Sequence, residues 1–294
     1  MTEAAHSVRY DPALGLAGLF RPLQARRQRP SYRVKRHFKG FELEWVAPEA
    51  PGVPEQTLLL VLMALAAPGV QRLAMQPVSS AGRQLRAALA GEGELFQGDA
   101  ASIHTSLSEM AKFCGYADCG GTNLEHVRQM LRRLAEVTVW IRTPDYEASS
   151  RLLSVAITRT GRTRVALNAR LALAAWGEGQ YVAISMVERL ALSTHTAMAL
   201  HAYLSSVIRM GRSHSFEWTR LEKAVWGDNA SGSTYRSRKA KLQCALDEIA
   251  RYSWTVTVQG RVVGVARQSR DKPTAKQQQR GQGNPREIKG LSQL

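Results

Sequence analysis

Leu242, Ala245, Leu246 and Ile249 recur at the spacing of a single helix face and predict a helix over residues 233–251. At 1.5 Å per residue that helix is roughly 28 Å long. At 100° per residue Tyr235 joins the buried stripe, and Ser233, Arg236, Ser237 and Ala240 turn away from it. Lys239 and Lys241 fall on the flanks of that outward face. A short amphipathic run, 219–226, and a turn-like Gly227-Asp-Asn229 precede the helix. Behind it, Trp254-Thr-Val-Thr-Val258, a Gln259-Gly260 turn and Arg261-Val-Val-Gly-Val-Ala266 read as a β-hairpin. Helix, turn, basic helix and hairpin in that order predict a winged helix, with the basic helix in a DNA groove.

A weaker copy of this pattern lies upstream. Leu107, Met110 and Ala111 predict a short helix, and Gly115 to Gly121 a turn. Leu124, Val127, Leu131 and Leu134 line one face of a longer helix, and 137–141 reads as a strand. Segments 106–141 and 219–258 therefore form a degenerate repeat, in which Gly120-Gly-Thr122 corresponds to Ser231-Gly-Ser-Thr234. Segments 151–157 and 163–167 suit a long hairpin around Thr160-Gly161. A strand over 181–184, a helix capped by Ser193 and a strand over 216–218 complete the second half.

Tyr32 to Trp45 alternates as a hairpin with Lys39-Gly40 at its turn, and Pro54 suits the first residue of an apolar helix reaching Ala67. Arg83 to Leu89 is a short helix candidate. The expected fold class is α+β, with two tandem winged-helix domains. A basic N-terminal arm covers 1–31, the domains 32–175 and 176–267, and a disordered basic tail 268–294.

Charge narrows the partner. The 294 residues carry a net +16, with 44% hydrophobic residues, enough for a core. Between Asp11 and Glu42 there are eight Lys or Arg and no acid: Arg21, Arg26, Arg27, Arg29, Arg33, Lys35, Arg36 and Lys39. Nucleic acid is the first expected partner. The longest apolar run, 57–67, is too short to span a bilayer, so no membrane is expected. Met1-Thr-Glu-Ala-Ala-His has no secretion pattern, and three cysteines, Cys114, Cys119 and Cys244, suit reduced thiols. The expected compartment is the cytoplasm.

The residue types assign roles. Ser231, Gly232, Ser233 and Thr234 offer hydroxyls and free amides to a phosphate at a helix N-terminus. Arg236 and Ser237 point toward bases, since arginine pairs bidentately with guanine. Lys239 and Lys241 suit the backbone, and Arg238 and the hairpin residue Arg261 are further expected DNA contacts. No acid falls between Asp228 and Asp247. The upstream helix offers Gly121, Thr122, Gln129, Arg132 and Arg133, but Glu125 and Glu136 share that outward face. It is expected to touch the DNA backbone or a protein, while the second helix does more of the base reading.

Enzyme chemistry finds no support. No phosphate-binding Gly-x-x-x-x-Gly-Lys-Ser/Thr and no His-Glu-x-x-His occurs, and a nicking enzyme's His-apolar-His pair is missing. His195 and His201 are six apart, on different faces. Cys114, Cys119 and His126 lack a fourth zinc ligand. No cofactor or metal is expected. Tyr32, Phe38, Phe41 and Trp45 interleave with basic residues, which suits base stacking or, more plainly, a hairpin core.

Tyr10-Asp-Pro12 with Gly18-Leu-Phe-Arg21, Gly82-Arg-Gln-Leu-Arg86, Val165-Ala-Leu-Asn168, Gly179-Gln180, Ile184-Ser-Met186, Ala230-Ser-Gly-Ser-Thr234 and Trp254-Thr-Val-Thr257 carry a further signal in their order and spacing. Over roughly residues 8–266 the chain resembles the RepC replication initiators of IncQ-type plasmids. The resemblance implies a tandem winged-helix protein, monomer or homodimer, that binds iteron repeats at a plasmid origin. It also implies opening of adjacent AT-rich DNA, with a plasmid helicase and primase as partners. Residues 230–234 with Arg236, Arg238 and Lys239 match the family's motif and basic helix. The loop 226–229 and the tail beyond Gln268 depart from the family pattern. A winged-helix transcriptional repressor is the alternative reading.

Overall fold

Val8 and Tyr10 alternate with polar neighbours in β1 (Ser7–Tyr10), and Asp11 then caps α1 (Pro12–Ala17) by accepting a hydrogen bond from the Ala13 amide at 2.9 Å. In the computed structural model, which describes residues 7–23, 29–38, 40–67, 70–89 and 98–269, these elements are buried. Val8, Tyr10, Leu14, Leu19 and Phe20 all enter the core. The expected N-terminal arm is thus corrected for residues 7–20. The run of cations starts only at Arg21; before it the apolar residues fold inward, Arg9 donates to Trp176 O at 2.7 Å and Asp11 pairs with Arg170 at 2.5 Å. Arg26, Arg27 and Lys39 lie outside the described residues, as do residues 270–294 of the expected tail.

β2 (Tyr32–Phe38) and β3 (Phe41–Ala47) form the expected hairpin, with Gly40 at φ +85° in its turn. α2 (Val53–Leu65) begins one residue before Pro54, and the Glu55 carboxylate accepts from the Gly52 amide at 2.8 Å to close its first turn. Leu58, Leu59, Leu60 and Leu62 are fully buried, so α2 is a central helix. β4 (Arg72–Leu73), α3 (Ser80–Leu89), β5 (Ala100–Ser106), α4 (Leu107–Phe113) and α5 (Gly121–Glu136) follow. Next come β6 (Thr138–Arg142), β7 (Glu147–Arg151), β8 (Leu153–Ile157), β9 (Arg162–Leu167) and α6 (Ala169–Trp176). The second half holds β10 (Val182–Ser185), α7 (Met186–Ala191), α8 (His195–Val207), β11 (Ser213–Glu217), α9 (Trp218–Trp226), α10 (Gly232–Ile249), β12 (Trp254–Gln259) and β13 (Val262–Arg267). Thr194, not Ser193, caps α8 by accepting from the Ala197 amide.

Two units share one connectivity. α2, β5, α4, α5 and the β8–β9 hairpin form the first; α8, β11, α9, α10 and the β12–β13 hairpin form the second. In each, the strand leading into the second helix pairs antiparallel with the last strand of the hairpin, giving sheet orders β5-β9-β8, with β4 added beyond β5, and β11-β13-β12. This corrects one correspondence of the repeat. β6 is not the counterpart of β12: it pairs with β3 through Val139 and Trp45 in a separate sheet, β2-β3-β6-β7. Alternation identifies a strand but not its partner, which is chosen by distant packing.

The units are tied by three devices. β1 pairs with β10, Val8 opposite Ile184. Val53, at the start of α2, packs in the second unit's core. Arg189 of α7 is buried and donates to Val53 O, Thr57 Oγ1, Gln56 Oε1 and Met198 O, at 3.0–3.2 Å.

Candidate nucleic-acid interface

α10 buries Leu242, Ala245, Leu246 and Ile249 against α8 and α9, which fixes its roll about its own axis. The opposite side leaves Ser233, Thr234, Arg236, Ser237, Ala240 and Lys241 exposed. Serines and an alanine between the cations allow close approach to a ligand surface. Ser231 at the N-cap makes no side-chain cap, and the first turn contains no acid. The positive end of the helix dipole is therefore left without a counter-charge from its own first turn. Gly232 adopts φ +60°, with nothing within 4 Å of where a Cβ would stand.

Glu222 sets the angle between α9 and α10. It is buried, accepts from the Ala230 amide at 3.0 Å and pairs with the Arg238 guanidinium at 3.3 Å. Arg238 also reaches Asp228 at 3.0 Å and lies 5.2 Å from the Trp226 ring centre. Lys239 sits 5.2 Å from the ring centre of Trp218. Arg238 and Lys239 are thus half-buried fixtures of the turn, whereas Arg236 and Lys241 have no carboxylate partner among the described residues. Trp218, Leu221, Glu222 and Val225 share the inward face of α9. An acid on an otherwise apolar stripe was the sequence signal for this clamp. Gly227 ends α9 at φ +85°, and a Cβ there would overlap the Arg21 guanidinium. Arg21 in turn donates to Tyr32 and Gly18 O, so the first unit's side of the molecule abuts the turn that carries α10.

The β12–β13 turn presents Gly260 at φ +60°, exposed Arg261, and two exposed valines, Val258 and Val262.

The equivalent surface of the first unit differs. Gly121 and Thr122 are exposed at the start of α5, but the Asp118 carboxylate lies beside them and accepts from the Gly120 amide at 2.8 Å. Glu125 pairs with Arg128 at 2.9 Å. Arg132 is exposed and Gln129 half-buried. Arg133 does not share the outward face expected for it. It turns toward α2, pairing with Glu49 at 2.6 Å and with buried Glu55 at 3.2 Å. Arg29 reaches the same Glu55 at 2.8 Å. A carboxylate with no exposure needs these two cations, and their attraction outweighs solvation of Arg133.

Cys114 is half-buried, and desolvation around its sulfur pushes the thiol up to about 12, which keeps it protonated at neutral pH. No group of three or more His, Cys, Asp or Glu is placed to hold a metal among the described residues, and no helix there is long and apolar enough to cross a membrane.

Among solved structures, the chain is similar to a crystal structure of domains 2 and 3 of RctB, at 9% identity and a TM-score of 0.54. That match covers 88% of this chain and 99% of the other. A second RctB domain 2–3 structure covers 87% of this chain and 95% of its own at 11% identity, with a TM-score of 0.48. The likeness is one of fold. A comparison with curated proteins finds no match. The family model described as replication protein C (RepC) matches residues 2–263, both units and the segments that join them, and the chain belongs to that family of replication proteins.

Proposed function

We propose that this chain is a non-enzymatic plasmid replication initiator whose two units are tandem winged helices. It binds iteron repeats at the origin and promotes opening of the adjacent AT-rich DNA, on which helicase and primase load. The observation that carries this reading is α10: an outer face of small residues, Arg236 and Lys241, an N-terminus without a counter-charge, and an orientation fixed by Glu222. Family membership supplies the replication context. Arg236 and Ser237 read bases, Ser231 to Thr234 hold a phosphate, and Lys241 and Arg261 steady the backbone. Arg238 and Lys239 act by holding the helix in place.

Footprinting on a supercoiled origin plasmid, combined with permanganate probing of unpaired thymines, tests the reading. Protected repeats with reactive thymines beside them are expected. Protection without reactive thymines would favour a transcriptional repressor, and cleavage of the plasmid with Mg²⁺ a nicking enzyme. Affinity is also expected to fall with salt at a slope of about −0.9 per phosphate neutralised.

A further inference from the structure

The sheet β5-β9-β8 has two faces. Ile103, Thr163 and Val165 point into the core, while His104, Arg162 and Arg164 are exposed on the reverse. α3 covers only one end of that reverse face. There the Ser154 hydroxyl donates to Leu85 O at 2.7 Å, and Ala166 packs with Leu85 and Leu89. Beyond α3 the face opens into a groove of about 870 Å³, whose lining includes Arg162, Arg164, His104, Ser106, Thr158 and Glu109.

The two arginines stand two residues apart on one strand and one face, about 7 Å at roughly 3.4 Å per residue. Neither has an ion pair or side-chain hydrogen bond among the described residues. Glu109, the acid in the groove lining, is engaged in capping α4. Its carboxylate accepts from the Ser106 amide and the Thr105 hydroxyl, both at 3.0 Å. Arg159 adds another exposed cation at the hairpin tip. Paired like charges on a concave face, rimmed by the hydroxyls of Ser106, Ser108 and Thr158, fit an anion with several oxygens in a row.

The register isolates this feature to one unit. Arg162 pairs with Ser106 and Arg164 with His104; at the same positions of the second unit, Val262 pairs with Glu217 and Gly264 with Ser215. The arginine pair is therefore not part of the shared scaffold. It stands in the unit whose α5 is balanced by Asp118, Glu125 and Glu136.

We propose that this half-open sheet face is a second nucleic-acid site, in which Arg162 and Arg164 hold the sugar–phosphate backbone. The proposal rests on the initiator reading above and adds where the first unit grips. The backbone belongs either to duplex beside the site read by α10 or to a separated strand of the opened region.

The test uses the full chain with R162A/R164A, R164A alone and R162K/R164K. Binding to an iteron duplex and to an AT-rich single strand is followed by fluorescence anisotropy across a salt series. The double alanine variant is expected to flatten the salt slope by about 1.8 on duplex, at 0.9 per contact, or by about 1.4 on single strand, at 0.7 per contact. The affected substrate identifies the source of the backbone. The single variant should give half the change, and the lysine variant, which keeps both charges, the original slope. Unchanged slopes on both substrates, with melting temperatures matching the parent, overturn the site. Arg236→Ala is run in parallel. If it too leaves duplex binding intact, the initiator reading itself fails; if it weakens binding while the arginine pair is silent, only the second site fails.

Discussion

α5 and α10 hold the same place in two units of the same connectivity, yet their charges are arranged in opposite ways. Beside α10, buried Glu222 of α9 and exposed Asp228 of the turn anchor Arg238, and the outer face of the helix's first half is left to Arg236 and Lys241 without carboxylate partners among the described residues. On α5 the acids lie outside or at the N-terminus, and one of its arginines, Arg133, is drawn inward by Glu55. A scaffold decides where a helix stands; the placement of a few carboxylates decides whether its cations face solvent. Counting basic residues on the two helices would not reveal this, because Arg133 and Arg238 belong to the fold in both.

The sharpest test of that contrast is Arg236→Ala against Arg132→Ala. Loss of a base contact is worth about 1–3 kcal/mol, so Arg236→Ala should weaken specific binding by roughly 5- to 150-fold. Arg132→Ala should change specific and random duplexes alike and by only a few-fold; equal effects of the two in a competition assay would end the distinction. Next in size is Glu222→Ala. It strips a buried partner from the Ala230 amide and Arg238 and should cost about 2 kcal/mol of stability in denaturant melts. Specific affinity should fall with it while binding to random DNA persists. Arg133→Ala should lower stability by about 1 kcal/mol, since Arg29 still reaches Glu55, and leave DNA affinity unchanged. A binding defect without a stability defect would return Arg133 to the DNA face.

The smallest effect is on pH dependence, and it centres on the Glu188–His201 contact of the second unit. Burial holds the His201 imidazole below its usual value despite its 2.9 Å contact with Glu188. Burial raises the Glu188 carboxyl, but the hydrogen bonds from His201 and Trp254 outweigh it and bring it down to about 2. Both groups bind protons more readily when unfolded. The His201 contribution is present above about pH 6.5 and lost as pH falls below it; that of Glu188 is present above about 4.5 and lost toward 2. Melting temperature should fall on acidification from about pH 7, and His201→Gln should flatten the first part of that decline.

Much of this was legible in the chain. α10 and α5 declare themselves because one face is polar and the other apolar, a 3.6-residue period that needs no tertiary knowledge. The exposed stripe of Ser233, Arg236, Ser237 and Ala240 follows from that period. α6 does not declare itself, since Ala169 to Trp176 is apolar on nearly every side and gives no phase. The pairing of β6 with β3, and of β1 with β10, joins residues far apart in sequence, where alternation carries no address. The retreat of Arg133 was hidden for the same reason, as its partners lie 78 and 84 residues away.

Val53 and Arg189 give the joint between the units a further consequence. A helix that starts in one core and ends in the other, with a buried guanidinium bonded to its first turn, leaves little slack between α5 and α10. The molecule then behaves as a caliper whose jaws are set at folding. On the initiator reading proposed above, a DNA target touched by both units must match that fixed opening, so a half-turn of extra DNA between its two contact segments would put one jaw on the wrong side of the duplex.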